Sequence, residues 1–204
     1  NIDLVEVDEA HHTPAKTWQQ ILVNLSVATH VLFTATPFRL DRKELSGEIV
    51  YDYPLSKAYE DGIFGEIQYV PVESGEDNDL CLAKRAEAVL LNDRKAGLEH
   101  YLMVRTDTKA SAEKLEKLYK DNTSLKLSKV DSSMSNSKVK HILETLHSGE
   151  LDGIVCVDML GEGYDFPNLK IAAIHVPHKS LASTLQFIGR FARTNAKNIG
   201  KAKF

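Results

Sequence analysis

The chain has 204 residues, of which 43% are hydrophobic and 26% charged, so it can bury a core and is not a disordered chain. The formal net charge of −4 excludes a uniformly basic protein, and any contact with nucleic acid must therefore use a local patch. No apolar run approaches the roughly 18 residues of a membrane span, and two unclustered cysteines, Cys81 and Cys156, predict a reducing, cytoplasmic compartment rather than a disulfide framework.

Hydrophobic periodicity predicts few strands in the first part of the chain. We predict strands at 4–7 and 30–35, a third strand at 48–53, and helices at 14–25 and 56–61. Thr13 is the predicted N-cap of the first helix, and Gly62 is suited to end the second in a left-handed conformation. Residues 73–79 are acidic and rich in turn formers, which predicts a solvated loop.

The second part alternates strands and helices more regularly. We predict strands at 66–72, 100–104, 125–130, 153–157 and 170–176, and helices at 80–91, 111–119, 137–146 and 180–191. This alternation is typical of an α/β fold with a parallel sheet that helices cover on both faces. The first part has too few strands for such a sheet, so we expect its opening strands to precede the first residue. Four lysines near the end of the chain are predicted to be solvated, with contact to a nucleic-acid backbone as the alternative: Lys179, Lys197, Lys201 and Lys203.

The stretch VEVDEAHH at residues 5–12 places carboxylates and imidazoles directly after the first predicted strand. Open α/β sheets bind ligands at the carboxyl ends of their strands, so Asp8 and Glu9 could hold Mg²⁺ through water or orient an attacking water. The alternative is a capping pair in a turn. A zinc site is disfavoured, because no cysteine or further histidine lies at metal-ligand spacing from His11 and His12.

Two motifs in the first part together resemble those of a known family. Residues 8–11 read DEAH and residues 34–37 read TATP, an arrangement similar to that of superfamily 2 helicases and translocases. The longer form TATPFRLD, at residues 34–41, looks most like the branch that contains XPB-like helicases and the motor subunits of type I and type III restriction enzymes.

Motifs in the second part extend the resemblance. Residues 157–167, VDMLGEGYDFP, are similar to motif V, although Val157 stands where many members carry threonine. Residues 186–193, QFIGRFAR, are similar to motif VI, with Phe187 in place of an arginine that is common in the DEAD-box branch. That departure fits the restriction-motor branch better. Residues 102–107 lie where motif IV is expected.

The resemblance implies two RecA-like lobes, with residues 1–65 as the C-terminal part of the first and residues 66–204 as most of the second. ATP and Mg²⁺ would bind between the lobes, and nucleic acid, expected to be DNA, would be held mainly through its backbone. The implied roles are catalysis by Asp8 (which would also hold Mg²⁺ through water), Glu9, Arg190 and Arg193; ATP binding by Gly163, Asp165 and Gln186; coupling by His11, Thr34 and Thr36; and nucleic-acid binding by Arg39, Thr106 and Thr108.

The basic residues in these motifs have alternative interpretations. Arg190 and Arg193 are three positions apart in a predicted helix, so we expect them to share a face and to reach nucleotide phosphates together. They could instead form surface ion pairs, which contribute little to stability. Arg39 could contact nucleic acid or pair locally with Asp41.

Polar residues that follow two of the predicted strands are less specific. Thr106 or Thr108, at the start of a predicted helix, could meet a backbone phosphate, but strand-to-helix turns commonly carry such caps. His175 and His178 are predicted to be loop residues near motif V.

An ATPase of this kind needs a phosphate loop, G-x-x-x-x-G-K-[ST], and the sequence has none. The only Gly-Lys pair is Gly200-Lys201, which Ala202 follows, and Asn195 stands at the position of the first glycine. We therefore expect the loop to lie upstream, the family's last strand downstream, and the 204 residues alone to be inactive. Two alternatives are an ATPase-inactive nucleic-acid-binding module and a motor subunit of a restriction or phage-defence nuclease.

Overall fold

A computed structural model describes residues 2–10, 16–35, 47–73, 75–157, 166–177, 181–195 and 198–204. The chain forms two compact units, one of Asn1–Asp52 with Ser180–Gln186 and the other of Tyr53–Lys179 with Phe187–Phe204. Several residues with predicted roles or positions lie outside the described residues: His11, His12, Thr13, Thr36, Arg39, Asp41, Gly163, Asp165, His178, Lys179 and Lys197.

The first unit contains a two-stranded parallel sheet. Strand β1 (Leu4–Val7) pairs with β2 (Thr29–Leu32), and helix α1 (Lys16–Asn24) lies between them in the chain, since parallel neighbours need a crossover connection. The register sets Val7 opposite Leu32, so the two strands end together at one edge. Both strands were predicted here, but the second ends at Leu32 rather than at residue 35.

The second unit contains a six-stranded parallel sheet with the order β3-β8-β7-β4-β6-β5. Its strands are β3 (Ile67–Gln68), β4 (Tyr101–Thr106), β5 (Leu127–Val130), β6 (Gly153–Val157), β7 (Leu169–Ile174) and β8 (Ala202–Lys203). Its helices are α2 (Leu55–Glu60), α3 (Asn78–Lys95), α4 (Lys109–Asn122), α5 (Asn136–His147) and the last residues of α6 (Leu181–Phe191).

Helices cover both faces of this sheet, which confirms the predicted α/β architecture. On one face, residues of α3 and α4 such as Leu90 and Leu115 pack against alternate residues of the central strands. On the other face, α5 and α6 supply Leu146 and Phe191. Strand β4 is buried from Leu102 to Thr106, and its residues Leu102–Val104 form a continuous apolar run instead of an alternating pattern.

Side-chain caps start three of these helices. Asp77, Thr108 and Ser135 accept hydrogen bonds from the N–H groups of Leu80, Ser111 and Lys138, respectively. Helix α3 therefore begins inside the segment 73–79, and the prediction of a solvated loop was wrong at its end. Gly62 follows α2 with a φ of +71°, which confirms the predicted left-handed ending.

Sequence reasoning was least accurate for residues 48–53 and for the two short strands, β3 and β8. Residues 48–53 form no strand, and Val50 is 86% exposed. The strand predicted at 66–72 contracts to the two residues of β3. No strand was predicted at β8, because two residues beside Gly200 carry no measurable periodicity, yet β8 pairs with both β3 and β7.

Strand β8 also explains why Lys203 is not solvated as predicted. Its ammonium forms an ion pair with the buried carboxylate of Asp93 at the end of α3. The same carboxylate lies 2.8 Å from Nδ1 of His100, whose pKa is lowered by burial. The Gly200 N–H donates to Nε2 of that histidine at 3.2 Å, so the neutral imidazole is bonded at both nitrogens.

Among the described residues, none of the helices has the length and apolar character needed to cross a membrane.

Candidate functional site

The two predicted catalytic carboxylates lie in a turn at the end of β1. Asp8 is exposed and Glu9 half-buried, and the Glu9 N–H donates to Oδ1 of Asp8 at 2.8 Å. Glu9 has a φ of +49°, a left-handed conformation that residues other than glycine seldom adopt. Such a conformation is retained only where surrounding contacts impose it, and it is frequent at functional sites.

Those contacts come from Phe33, which follows β2. Its N–H donates to the carbonyl of Val7 at 2.8 Å, and its carbonyl accepts the N–H of the fully buried Ala10 at 2.9 Å. The turn that carries Asp8 and Glu9 is therefore held directly to the residue before Thr34. The structure thus brings Asp8 and Glu9 of one motif and Thr34 of the other to the carboxyl edge of one small parallel sheet, where ligands of such sheets bind.

One side chain at this carboxyl edge has the character of a ligand for a hydrated metal ion. Asp8 is an exposed carboxylate in a turn whose backbone is fixed on both sides. Mg²⁺ takes oxygen ligands and keeps several waters, so a single exposed carboxylate suffices for a contact through water. Among the described residues, no group of three or more histidine, cysteine or acidic side chains is placed to form a protein-only metal site.

The structure corrects the prediction that Arg190 and Arg193 share a helical face. Helix α6 ends at Phe191, so Arg190 lies in its last turn but Arg193 lies beyond it. Arg193 instead forms an antiparallel bridge with Phe64, and the Gly65 N–H donates to the carbonyl of Ala192 at 2.6 Å. Arg190 is half-buried and Arg193 exposed. The main chain is therefore helical at Arg190 and extended in a bridge at Arg193, so the two side chains do not share one helical face.

Phe187 stands where the DEAD-box branch commonly carries arginine, and its packing in the hydrophobic core accounts for the difference. Phe187 is 1% exposed and packs against Phe191 and Phe204, with ring centroids 4.8 Å and 6.1 Å away. A guanidinium here would be buried among apolar side chains. Gln186, the preceding residue, is half-buried on α6.

The predicted nucleic-acid contacts after β4 differ in access. Thr106 is fully buried, and its hydroxyl has no hydrogen-bond partner among the residues that the structure describes. Thr108 is exposed and caps α4, accepting the N–H of Ser111 at 3.1 Å. Of the two, Thr108 is the one whose side chain a ligand can reach without movement of the strand end.

Sequence reasoning missed a polar cluster in the second unit, beside the end of strand β7. His175, predicted as a loop residue, has a side chain that is only 2% exposed. Its Nδ1 lies 2.7 Å from Oδ1 of Asp79, and its Nε2 lies 3.1 Å from the hydroxyl of Tyr119. Burial lowers the pKa of His175 and raises that of Tyr119, so the phenol donates to a neutral imidazole.

A second missed residue is Lys170, which sequence reasoning treated only as the start of a strand. It is 1% exposed, and its ammonium donates to main-chain carbonyls after α6, including that of Phe191 at 2.6 Å. The one signal in the sequence was a lysine within the run LKIAAI, where a buried strand should carry apolar residues only.

Two protein families match the chain, one in each part. Residues 86–195, just over half of the chain, match the family described as helicase conserved C-terminal domain. Residues 1–39, which include the carboxylate turn and Phe33, match the family described as type III restriction enzyme, res subunit.

Individual proteins also resemble the chain. A Saccharomyces cerevisiae protein named putative ATP-dependent helicase IRC3 is 26% identical over 95% of this chain, which spans 32% of that relative. A solved structure of a single-substitution variant of S. cerevisiae Dbp5, bound to RNA and ADP BeF3, superposes with a TM-score of 0.64 at 16% identity, covering 100% of this chain and 53% of that one. The structure of Mycobacterium smegmatis helicase Lhr bound to ssDNA and AMP-PNP superposes with a TM-score of 0.59 at 16% identity. The match covers 98% of this chain and 28% of that one. At these identities the structures show the fold alone, which is RecA-like.

Proposed function

Since the chain belongs to the superfamily 2 helicases, through the helicase conserved C-terminal domain at residues 86–195, we propose that it is the part of an ATP-dependent motor that moves along or unwinds DNA. The match to the yeast relative covers 95% of this chain but only about a third of that relative. The motor activity is therefore proposed for the whole protein of which this chain would be a part. We assign residues 1–65 to the first RecA-like lobe and residues 66–204 to the second.

One observation carries the proposal: the strained turn of Asp8 and Glu9 is held beside Thr34 by Phe33. In this assignment Asp8 holds Mg²⁺ through water, and Glu9 polarises the attacking water. Bound ATP supplies the phosphoryl group whose transfer releases the free energy for movement. A water-bridged carboxylate and a nearby general base are the two groups that such hydrolysis requires from this edge.

Other residues complete the proposed site. Arg190 and Arg193 stabilise the negative charge that develops on the transferred phosphoryl group. Binding of the nucleotide is assigned to Gly163, Asp165 and Gln186, and coupling to His11, Thr34 and Thr36. The hydrogen bond from the Ala10 N–H to the carbonyl of Phe33, the residue next to Thr34 in the chain, supports the coupling role, because a shift of the carboxylate turn would be passed on to Thr34.

The proposal requires a phosphate loop, and none of the 204 residues form one. We propose that the longer protein supplies it and that this chain alone has no ATPase activity. Measurable Mg²⁺-dependent hydrolysis of ATP by the 204-residue chain would contradict that statement.

DNA is the proposed nucleic acid because residues 1–39 resemble a restriction-enzyme subunit, and restriction enzymes act on DNA. The two similar structures contain RNA in one case and ssDNA in the other, so they support a nucleic-acid partner of either kind. Backbone contacts are assigned to Arg39, Thr106 and Thr108. We also propose a cytoplasmic location, as the two unclustered cysteines suggest.

The test is the ATPase rate of the full-length protein alone and with single-stranded DNA, double-stranded DNA or RNA of matched length. We expect at least a tenfold stimulation by DNA and a smaller one by RNA. Equal rates with and without any nucleic acid would contradict a motor. Stimulation by RNA alone would keep the motor and overturn the choice of DNA.

The match of residues 1–39 also favours a second candidate, a motor subunit of a restriction or phage-defence nuclease. In that case the full-length protein, or its complex with a co-purifying subunit, would cleave DNA only when ATP is present. ATP-stimulated translocation without cleavage would favour the first candidate.

A further inference from the structure

Strand β7 carries the buried ammonium of Lys170, which pairs with no carboxylate among the described residues. The ammonium of Lys170 donates to the carbonyl oxygen of Phe191 at 2.6 Å and to that of Arg193. Within the described part of the chain, these two main-chain carbonyls are its acceptors. They belong to the last residue of α6 and to the arginine that follows it by two positions.

Burial of the Lys170 ammonium, considered without its hydrogen bonds, lowers the stability of the fold. Burying an ammonium without a carboxylate penalises the charged form, and desolvation lowers the pKa of Lys170 to about 8. Apolar residues in place of buried charges are often neutral or stabilising. The favourable contribution is local: carbonyls at a helix C-terminus lack intrahelical donors, and the helix dipole makes this end negative.

The segment that Lys170 holds is also fixed from the other side. The main chain of Arg193 is bridged to Phe64, and Ala192 accepts the N–H of Gly65 at 2.6 Å. A Cβ atom on Gly65 would lie 3.1 Å from the Ala192 oxygen and 3.1 Å from Cγ2 of Thr194, so a larger residue would require a shift of a few tenths of an ångström in this segment. The main chain that carries the Arg193 side chain is therefore held by Lys170 on one side and by Phe64 and Gly65 on the other.

We propose that Lys170 is a positioning residue, which fixes the main chain at Arg193 and thereby directs the guanidinium of that residue at the nucleotide phosphates. The proposal rests on the function proposed above for Arg193. It assigns to the buried lysine a role in catalysis that is exerted through Arg193 and not by contact with ATP.

A double-mutant cycle on kcat in the full-length protein tests this role. Arg193→Ala should lower kcat for ATP hydrolysis by roughly 10³-fold or more. Lys170→Met should lower kcat by roughly 10- to 100-fold, as misplacement of a catalytic group by about 1 Å does, with the KM for ATP changed less than about threefold. In the Arg193→Ala background, Lys170→Met should have almost no further effect, because the group that it positions is absent.

Two control variants separate positioning from general damage. Lys170→Arg keeps the cation and its donors and should keep kcat within a few-fold of the wild type. Lys129→Met removes a strand lysine that is bound by the carboxylates of Glu113 and Asp131, and should leave kcat unchanged. Hydrogen exchange should show faster exchange of the Gly65 amide in Lys170→Met and unchanged exchange in α3.

The outcomes distinguish this proposal from the proposed function. An equal loss of kcat on Lys170→Met in both backgrounds, or no loss in the wild type, would overturn the positioning role. Full activity of Arg193→Ala would overturn the role of Arg193 itself, and with it this proposal. If Lys170→Met does not fold, Gly65→Ala displaces the same turn, and a loss of kcat that persists fully in the Arg193→Ala background would equally refute positioning.

Discussion

Nδ1 of His175 lies 2.7 Å from Oδ1 of Asp79, although 96 positions separate them in the chain. Asp79 is in the first turn of α3 and His175 follows β7, while Tyr119, on the other side of the imidazole, belongs to α4. The histidine thus joins three elements at the carboxyl edge of the large sheet. Because its pKa is lowered by burial, this junction is made by a neutral imidazole.

We expect the stability of the chain to fall in mild acid because of this junction. An unfolded histidine gains its proton near pH 6.5, whereas folded His175 resists it, since desolvation outweighs the attraction of Asp79. The unfolded state then binds more protons, so the free energy of unfolding decreases as the pH falls below about 6.5 until the folded pKa is reached. The slope is at most about 1.4 kcal/mol per pH unit for one histidine.

Urea unfolding of the 204-residue chain between pH 7.5 and 5 measures this slope, to which the buried His100 contributes in the same direction. His175→Asn should lower the overall stability and also reduce the slope. His141→Gln, which changes an exposed histidine, should keep the wild-type slope. An unchanged slope in His175→Asn would show that this imidazole does not carry the effect.

Gly153 allows β6 to approach β4 closely. A Cβ atom at this position would lie 2.1 Å from the carbonyl oxygen of Leu102, its partner in the sheet register. Gly153→Ala should therefore lower the free energy of unfolding by about 3 kcal/mol or more, because the clash is with backbone. Gly189→Ala is the matched change: no described atom outside its own helix backbone lies within 4 Å of the new Cβ, and it should stabilise α6 by about 0.5–1 kcal/mol. Equal effects in urea denaturation would contradict this account.

Much of the large sheet could be predicted because each of its central strands contains a run of buried apolar residues. The run IVCV at 154–157 and its counterparts in β4 and β7 are long enough to be read from sequence alone. Strands β3 and β8 have two residues each, and their pairing depends on a neighbour far away in the chain. No local pattern indicates such a pairing.

In the candidate site, too, local sequence identified some residues and missed those that depend on distant contacts. Asp8 and Glu9 could be found because a motif places them next to each other, and the structure adds the clamp by Phe33. Lys170 and His175 act through contacts that are distant in sequence, so spacing alone does not reveal them. The error about Arg193 arose because helical spacing was applied to a residue beyond position 191, where both the predicted helix and α6 end.

Phe187 should be a stability determinant and not a phosphate contact. Its ring is buried against Phe191 and Phe204, so Phe187→Ala should lower the free energy of unfolding by about 3–5 kcal/mol. Phe187→Arg, which restores the residue of the DEAD-box pattern, should be at least as harmful because it buries an unpaired charge. Leu185→Ala, at a side chain that is 42% exposed, is the control and should cost less than about 1 kcal/mol. Wild-type stability of Phe187→Arg in urea unfolding would refute this interpretation.

Glu9→Gln is the most direct test of the carboxylate turn. The substitution keeps the size of the side chain and removes the charge that would polarise the attacking water, so kcat of the full-length protein should fall by about 10²- to 10⁴-fold. ATP affinity should change little, because Asp8 and the phosphate loop remain. Thermal stability should also be kept, since glutamine adopts the left-handed φ of +49° about as readily as glutamate does. Glu6→Gln changes an exposed carboxylate in β1 and should leave kcat unchanged. A Glu9→Gln protein with kcat within threefold of the wild type would place the general base elsewhere.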